Sequence, residues 1–196
     1  MKAFTGRDGN DPARSRVPRL AASMRGILLT CALALALAPA AGAQPADHVG
    51  PSGPEAVHPV PGDVGYGEWA ARYGNFRDGH VHAGQDVFAA AGTPLRAVRD
   101  AVVVEKGSGD GRGHYVAIHS AAQRETYVYL HLRRATAVAV GDVVTAGQRI
   151  GQLGCTGACF GHHLHFEVRR GRGVGGETED PLPLLRSLGR PGGPAV

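Results

Sequence analysis

The sequence predicts a mainly β protein with a single folded domain, and three observations lead there. The chain has 196 residues, enough for one ordinary domain with a core of its own and not comfortably for two. Its middle is a series of short β-branched or aromatic runs bounded by turn residues. Only residues 67–74 and 181–188 are candidates for helix, and both stretches are short.

The N-terminus is set apart from that domain. An apolar run from Ile27 to Ala38 is too short to span a bilayer, follows Arg25, and precedes Ala41-Gly42-Ala43, a small-x-small site of the kind signal peptidase cuts. Residues 1–43 are therefore expected to be a signal peptide cleaved after Ala43, with an uncleaved anchor or a buried helix as the alternative. The stretch before Met24 is long for the charged start of such a signal, which makes Met24 the alternative start. Residues 44–62, rich in Pro, Gly, Ala and His, read as a linker or short pro-segment, placing the domain at 63–188 and a frayed tail at 189–196.

Within the domain the strands follow in order. Asp100-Ala101-Val102-Val103-Val104-Glu105 is the first clear β run, and the glycine-rich stretch Gly107 to Gly113 leads from it to Tyr115-Val116-Ala117-Ile118-His119. A phosphate-cradling glycine loop passes from a strand into a helix, whereas this one joins two strands and is expected to be a flexible hairpin connection. Thr126 to Leu132 is the third run, Gly141-Asp142 a turn, and Ile150 to Gly154 a further short strand. A Leu-rich end follows Asp180-Pro181.

Charge excludes one class of partner. Six of the 21 Lys and Arg residues and two of the 17 acids lie in residues 1–43, leaving 15 bases against 15 acids beyond them. The formal charge of +4 belongs to the leader and gives no argument for nucleic-acid binding. All ten histidines lie beyond residue 43. Cys155 and Cys159 are an even pair in what would be an oxidising compartment; a bridge is expected there, two thiols in a tight turn being the alternative.

The chemistry concentrates in two constellations. His163-Leu164-His165 places two imidazoles on one face if the segment is a strand, and His82-Ala83-Gly84-Gln85-Asp86 lies about eighty residues upstream. Two imidazoles and a carboxylate suit a borderline ion such as zinc and leave a tetrahedral position open for water, as in a metallohydrolase. Each motif alone is weak evidence. No nucleophile-elbow glycine pattern surrounds any serine, and the two cysteines lack the paired spacing of a structural zinc site.

The wider pattern is more specific. His82 to Ala89, Gly92-Thr93-Pro94-Leu95-Arg96-Ala97, Tyr129-Leu130-His131-Leu132, Gly147 to Gly151 and Gly161 to Glu167 stand in the right order across residues 58–182, and together they strongly resemble the lysostaphin/LytM-type zinc metalloendopeptidases. The resemblance implies a single-domain antiparallel β-sheet with a metal-binding groove, similar to a duplicated hybrid motif, walled by loops around residues 65–80, 107–113 and 155–162. It implies that His82, Asp86 and His165 hold one catalytic Zn2+ while His131 and His163 flank the open position, one as base and the other as hydrogen-bond donor to the oxyanion, in an order left open. Peptidoglycan peptides are the implied substrate, acted on by a monomer outside the cell membrane, secreted or in the cell envelope, with no stable membrane insertion. The alternative is a non-catalytic module of the same fold that binds peptidoglycan or activates an amidase; such modules lose ligands, and this chain keeps all five residues.

The sequence departs from the family pattern at His162, where proline is common, at Cys155 and Cys159, where small polar residues are usual, and at Ala101, in place of a turn glycine. The other histidines carry bland expectations: His48 and His58 in the linker, though either is a candidate to cap the open metal position in a latent form; His80 and His162 beside the site; His114 and His119 on the surface. Glu167 shares a strand face with His165 and is a candidate to orient it, and Tyr129 is expected either to line the cleft or to pack.

Overall fold

The computed structural model describes residues 55–77 and 79–189. The signal segment 1–43 with its alternative start, His48, and the tail from residue 190 on lie outside the described residues. The strands, in chain order, are β1 (Phe76–Arg77), β2 (His80–Val81), β3 (Gln85–Phe88), β4 (Pro94–Arg96), β5 (Ala101–Gly109), β6 (Gly113–Ser120), β7 (Glu125–Leu132), β8 (Val143–Val144), β9 (Arg149–Gln152), β10 (His163–Arg170) and β11 (Thr178–Glu179). The helical candidates reduce to a 3-10 turn at Trp69–Ala71 and the helix α1 (Leu182–Ser187). Among the described residues no helix is long and apolar enough to cross a membrane.

A seven-stranded antiparallel sheet dominates, in the order β11-β10-β7-β6-β5-β8, with β3 also paired to β10. β3 and β11 lie end to end along one edge of β10, and β7 pairs with the other edge. The hairpin β1/β2 and the pair β4/β9 complete the β structure. The mainly β, antiparallel expectation holds.

Alternation along the strands sorts residues between the two faces. Tyr127 and Tyr129 of β7 and Leu164, Phe166 and Val168 of β10 join Val103, Val116 and Ile118 in the main core, sealed by Leu95, Val98, Ile150 and Leu153. Val128 and Leu130 point the other way, toward the face that carries His163, His165 and Glu167 of β10. Tyr129, a candidate for the cleft, is fully buried in the core, and its hydroxyl accepts the Val98 N–H at 2.9 Å.

Two residues after Tyr129, His131 belongs to the core face by strict alternation. It does not go there. The β6/β7 register shifts by one residue, from His114 opposite Leu132 to Val116 opposite Tyr129, and His131 takes a left-handed φ of 60°. This β-bulge adds one residue to β7, so Leu130 and His131 both line the groove and Leu132 returns to the core.

Two other expectations need correction. The described part of the 44–62 segment is built into the fold. Val57 N–H donates to Val98 O, Arg96 N–H donates to Pro59 O, both at 2.9 Å, and Val60 is wholly buried. Apolar Val60 outweighs the segment's Pro and Gly content. Residues 107–113 are also more ordered than a flexible connection, because β5 and β6 pair down to Gly109 and Gly113 and leave only a tight turn.

Left-handed φ at a residue with a Cβ costs about 1 kcal/mol or more, a strain that glycine avoids. His131→Gly is therefore expected to be about 1 kcal/mol more stable than His131→Ala in chemical denaturation of the metal-free protein. An alanine variant as stable as the glycine variant contradicts the strained bulge.

Candidate active site

Three buried side chains converge where β3 and β10 pair. Asp86 and His165 are direct cross-strand partners, and His82 reaches them from the segment just before β3. His82 Nε2, Asp86 Oδ1 and His165 Nδ1 form a triangle with sides of 2.9, 3.0 and 3.1 Å. Among the described residues this is the one group of three or more His, Cys, Asp or Glu side chains with converging donor atoms. Gly84 permits the approach, since a Cβ there would stand 2.8 Å from His165 Nε2.

The outer hydrogen bonds determine which atoms face inward. His82 Nδ1 lies 2.8 Å from the Arg72 carbonyl, which can only accept, so Nδ1 carries the proton and Nε2 presents a lone pair. His165 Nε2 lies 3.2 Å from Glu167 Oε1, so with Nε2 protonated its Nδ1 is the lone pair. Arg77 occupies the second oxygen of Asp86 at 3.1 Å and leaves Oδ1 to the triangle. Two lone pairs and a carboxylate oxygen thus confront one another, an arrangement that repels itself unless a cation lies among them. Donors ~2.0–2.1 Å from a tetrahedral ion lie about 3.3 Å apart, close to the observed triangle. The residues fit a zinc-like ion bound by three protein ligands.

Titration expresses the same demand for positive charge. Burial alone would raise the Asp86 carboxyl, but the His165 and His82 rings within hydrogen-bond distance of it and the charge of the nearby rings take it well below the usual carboxylate range. Burial of the His165 ring opposes its protonation, yet hydrogen bonds to Asp86 and Glu167 and their charges outweigh it and raise its pKa. In the metal-free protein a second ring proton on His165 stands where the metal charge would be. Glu167, itself buried, is brought down to about 2 by His165 and by Arg169, whose Nε donates to it at 2.6 Å.

The remaining two histidines border the triangle. His163 Nε2 is 3.6 Å from Asp86 Oδ1, and its ring centroid is 4.9 Å from that of His131. Each is oriented by a backbone carbonyl: His163 Nδ1 donates to Gly161 O at 2.9 Å and His131 Nδ1 to Thr156 O at 2.8 Å. With Nδ1 protonated, Nε2 of each neutral ring is an acceptor. Burial brings His131 down to about 4 and lowers His163 as well, so both rings are neutral near pH 7.

All five residues open onto a groove of about 810 Å³. The three segments expected to wall it contribute Glu68, Arg112 and Phe160 among others, and Val81 and Phe160 are 59% and 86% exposed at its rim. Cys155 and Cys159 are bridged, with 5.4 Å between their Cα atoms. His80 and His162 are exposed, His80 lining the groove. His58 makes no approach to the triangle: it is buried, with Nδ1 2.7 Å from Val60 O and Nε2 3.0 Å from the Tyr66 hydroxyl. His114 and His119 are half-buried. Arg77, Arg72, Thr156 and Gly161 escaped the sequence reading, because three of the four orienting contacts use backbone carbonyls, which no residue type advertises.

An antiparallel β domain with this donor set on the floor of an open groove falls in the class of metallopeptidase-like domains. Comparison is more particular: residues 80–181 match Peptidase family M23, and the chain belongs to that family. The glycyl-glycine endopeptidase ALE-1 of Staphylococcus capitis is 37% identical over 113 residues, 57% of this chain and 31% of that protein. The peptidoglycan DD-endopeptidase ShyC of Vibrio cholerae is 37% identical over 141 residues, 69% of this chain and 27% of that protein. The chain thus spans about a third or less of the length of these curated relatives. The catalytic domain of lysostaphin from Staphylococcus simulans superposes with a TM-score of 0.54 at 34% identity, covering 64% of this chain and 92% of that domain.

The Glu167 shift predicts a pH signature. A carboxylate depressed in the folded state adds stability above its unfolded pKa of about 4.3, and that stability is lost as pH falls toward 2. In the metal-free protein the stability gap between wild type and Glu167→Gln is expected to be widest at pH 6–7 and to narrow steadily below about pH 4.5. A gap independent of pH between about 2 and 7 is incompatible with a buried, ionised Glu167.

Proposed function

We propose that this chain is an exported zinc metalloendopeptidase that hydrolyses peptide cross-links of bacterial peptidoglycan. The observation that carries the reading is the triangle of inward-facing acceptors on His82, Asp86 and His165, with two neutral, carbonyl-oriented imidazoles beside it. Membership of family M23, and relatives named as glycyl-glycine and DD-endopeptidases, support a cell-wall peptide as substrate. Export rests on the sequence of residues 1–43.

His82, Asp86 and His165 would hold the ion. When bound, zinc supplies Lewis acidity, acidifying water and polarising a carbonyl. His131 and His163 perform the proton work. Each has Nδ1 committed to a carbonyl and Nε2 directed toward the groove, so either can take a proton from the attacking water. Once protonated, that ring can pass the proton to the leaving amine, while the other can accept the second proton of the same water and then hydrogen-bond the carboxylate oxygen that forms. Burial favours this cycle because it keeps both rings unprotonated before reaction and makes the imidazolium a willing acid afterwards. The groove accommodates an extended peptide, and its apolar rim at Val81 and Phe160 excludes water from the attacked bond.

The protein freed of residues 1–43 and loaded with zinc is expected to release peptides from purified sacculi, and chelator is expected to abolish release. His131→Ala and His163→Ala should each lose about 10²–10⁴-fold in rate while retaining the metal, whereas His165→Ala should lose the metal itself. Release that persists in chelator, or in both alanine variants, overturns the mechanism.

A further inference from the structure

The groups that orient the two proposed catalytic imidazoles come from one short piece of backbone. Thr156, which accepts from His131, lies inside the turn closed by the Cys155–Cys159 disulfide. Gly161, which accepts from His163, follows two residues after it, and Cys159 Sγ itself lies 3.8 Å from His163 Nδ1. The turn is seated firmly at its other side. The Thr156 hydroxyl donates to Leu132 O at 2.7 Å and accepts the His114 N–H at 2.9 Å, and Ala158 N–H donates to Gly111 O at 3.1 Å. Gly157, with φ of 75°, meets Gly113 backbone to backbone, where a Cβ on either residue would collide with the other segment. The same β5/β6 turn also supports His131 directly, since Arg112 O accepts the His131 N–H at 3.0 Å.

We propose that the disulfide-closed turn 155–159, seated by Thr156, is the positioning element that holds His131 and His163 in the Nδ1-protonated tautomer, with Nε2 available to the groove. Closing so short a loop adds less to global stability than closing a long one, and the bridge acts most directly as local order at the two acceptor carbonyls. A ring released from its carbonyl samples both tautomers and rotates, and the Nε2-protonated tautomer places a proton where a lone pair is needed. The role in turnover rests on the peptidase reading above; the role in tautomer selection does not.

The test uses zinc-loaded protein with 15N-labelled histidine, whose ring nitrogen shifts report the tautomer. Wild type is expected to show His131 and His163 protonated at Nδ1. Cys155→Ser with Cys159→Ser should show mixed or exchange-broadened tautomers at both rings, with His82 and His165 signals and zinc stoichiometry unchanged. Its kcat on sacculi should fall at least about tenfold, with KM altered less than about twofold. Thr156→Val should disturb His131 in the same way, and Thr156→Ser should restore it. Unchanged tautomers in the folded double variant overturn the proposal. Should the double variant lose its fold or its zinc, Thr156→Val decides: a His131 spectrum identical to wild type overturns the proposal equally. A wild type that shows the expected tautomers yet cleaves no wall peptide disposes of the peptidase reading and leaves the positioning role standing.

Discussion

Three acceptor atoms forced together in a buried place are the constraint around which the domain is organised. His82 Nε2, Asp86 Oδ1 and His165 Nδ1 stand about a van der Waals contact apart, and each is held there by an outer bond: to Arg72 O, to Arg77 and to Glu167. Such a cluster is costly without a cation and strongly favourable with one. The antiparallel pairing of β3 with β10 makes it possible by setting Asp86 and His165 directly opposite each other, and the core beneath, through Val87, Leu164 and Phe166, keeps that register from slipping.

A second set of constraints arranges what surrounds the triangle. β7 would send His131 into the core with Tyr129 if its alternation were unbroken. The bulge, with His131 in a left-handed conformation, turns it outward at the cost of local strain. The strain is accepted because the residue is tied twice, by Arg112 O at the His131 amide and by Thr156 O at its ring. Strand, bulge, hairpin turn and disulfide turn therefore form one interlocked wall of the groove.

The opposite wall is built by segments with little regular structure. Gln85, fully buried, donates to the carbonyls of Tyr66 and Ala71 and so fastens the 3-10 turn at Trp69–Ala71 to β3. Arg77 joins the same wall to the triangle, bonding Ala70 O and Asp86 together. The groove thus lies between two walls, one bonded directly to Asp86 and the other to His131. The apolar residues at the rim, Val81 and Phe160, are left exposed.

The sequence by itself determined the β class and the four longest strands, because β-branched and aromatic runs between turn residues are local and written in residue types, while the set of five side chains came from the ordered blocks that resemble a known family, each spacing alone being weak. Its local rules also misled, since composition assigned residues 57–60 to a linker although Val60 is core, and they left Tyr129 open between cleft and packing until the fold buried it in the core. Only the tertiary structure decided which nitrogen of each histidine faces the groove. That choice depends on the carbonyls of Arg72, Thr156 and Gly161 and on Glu167, brought to the rings by folding. A backbone carbonyl is the same in every residue, so its effect becomes specific only through where the chain places it.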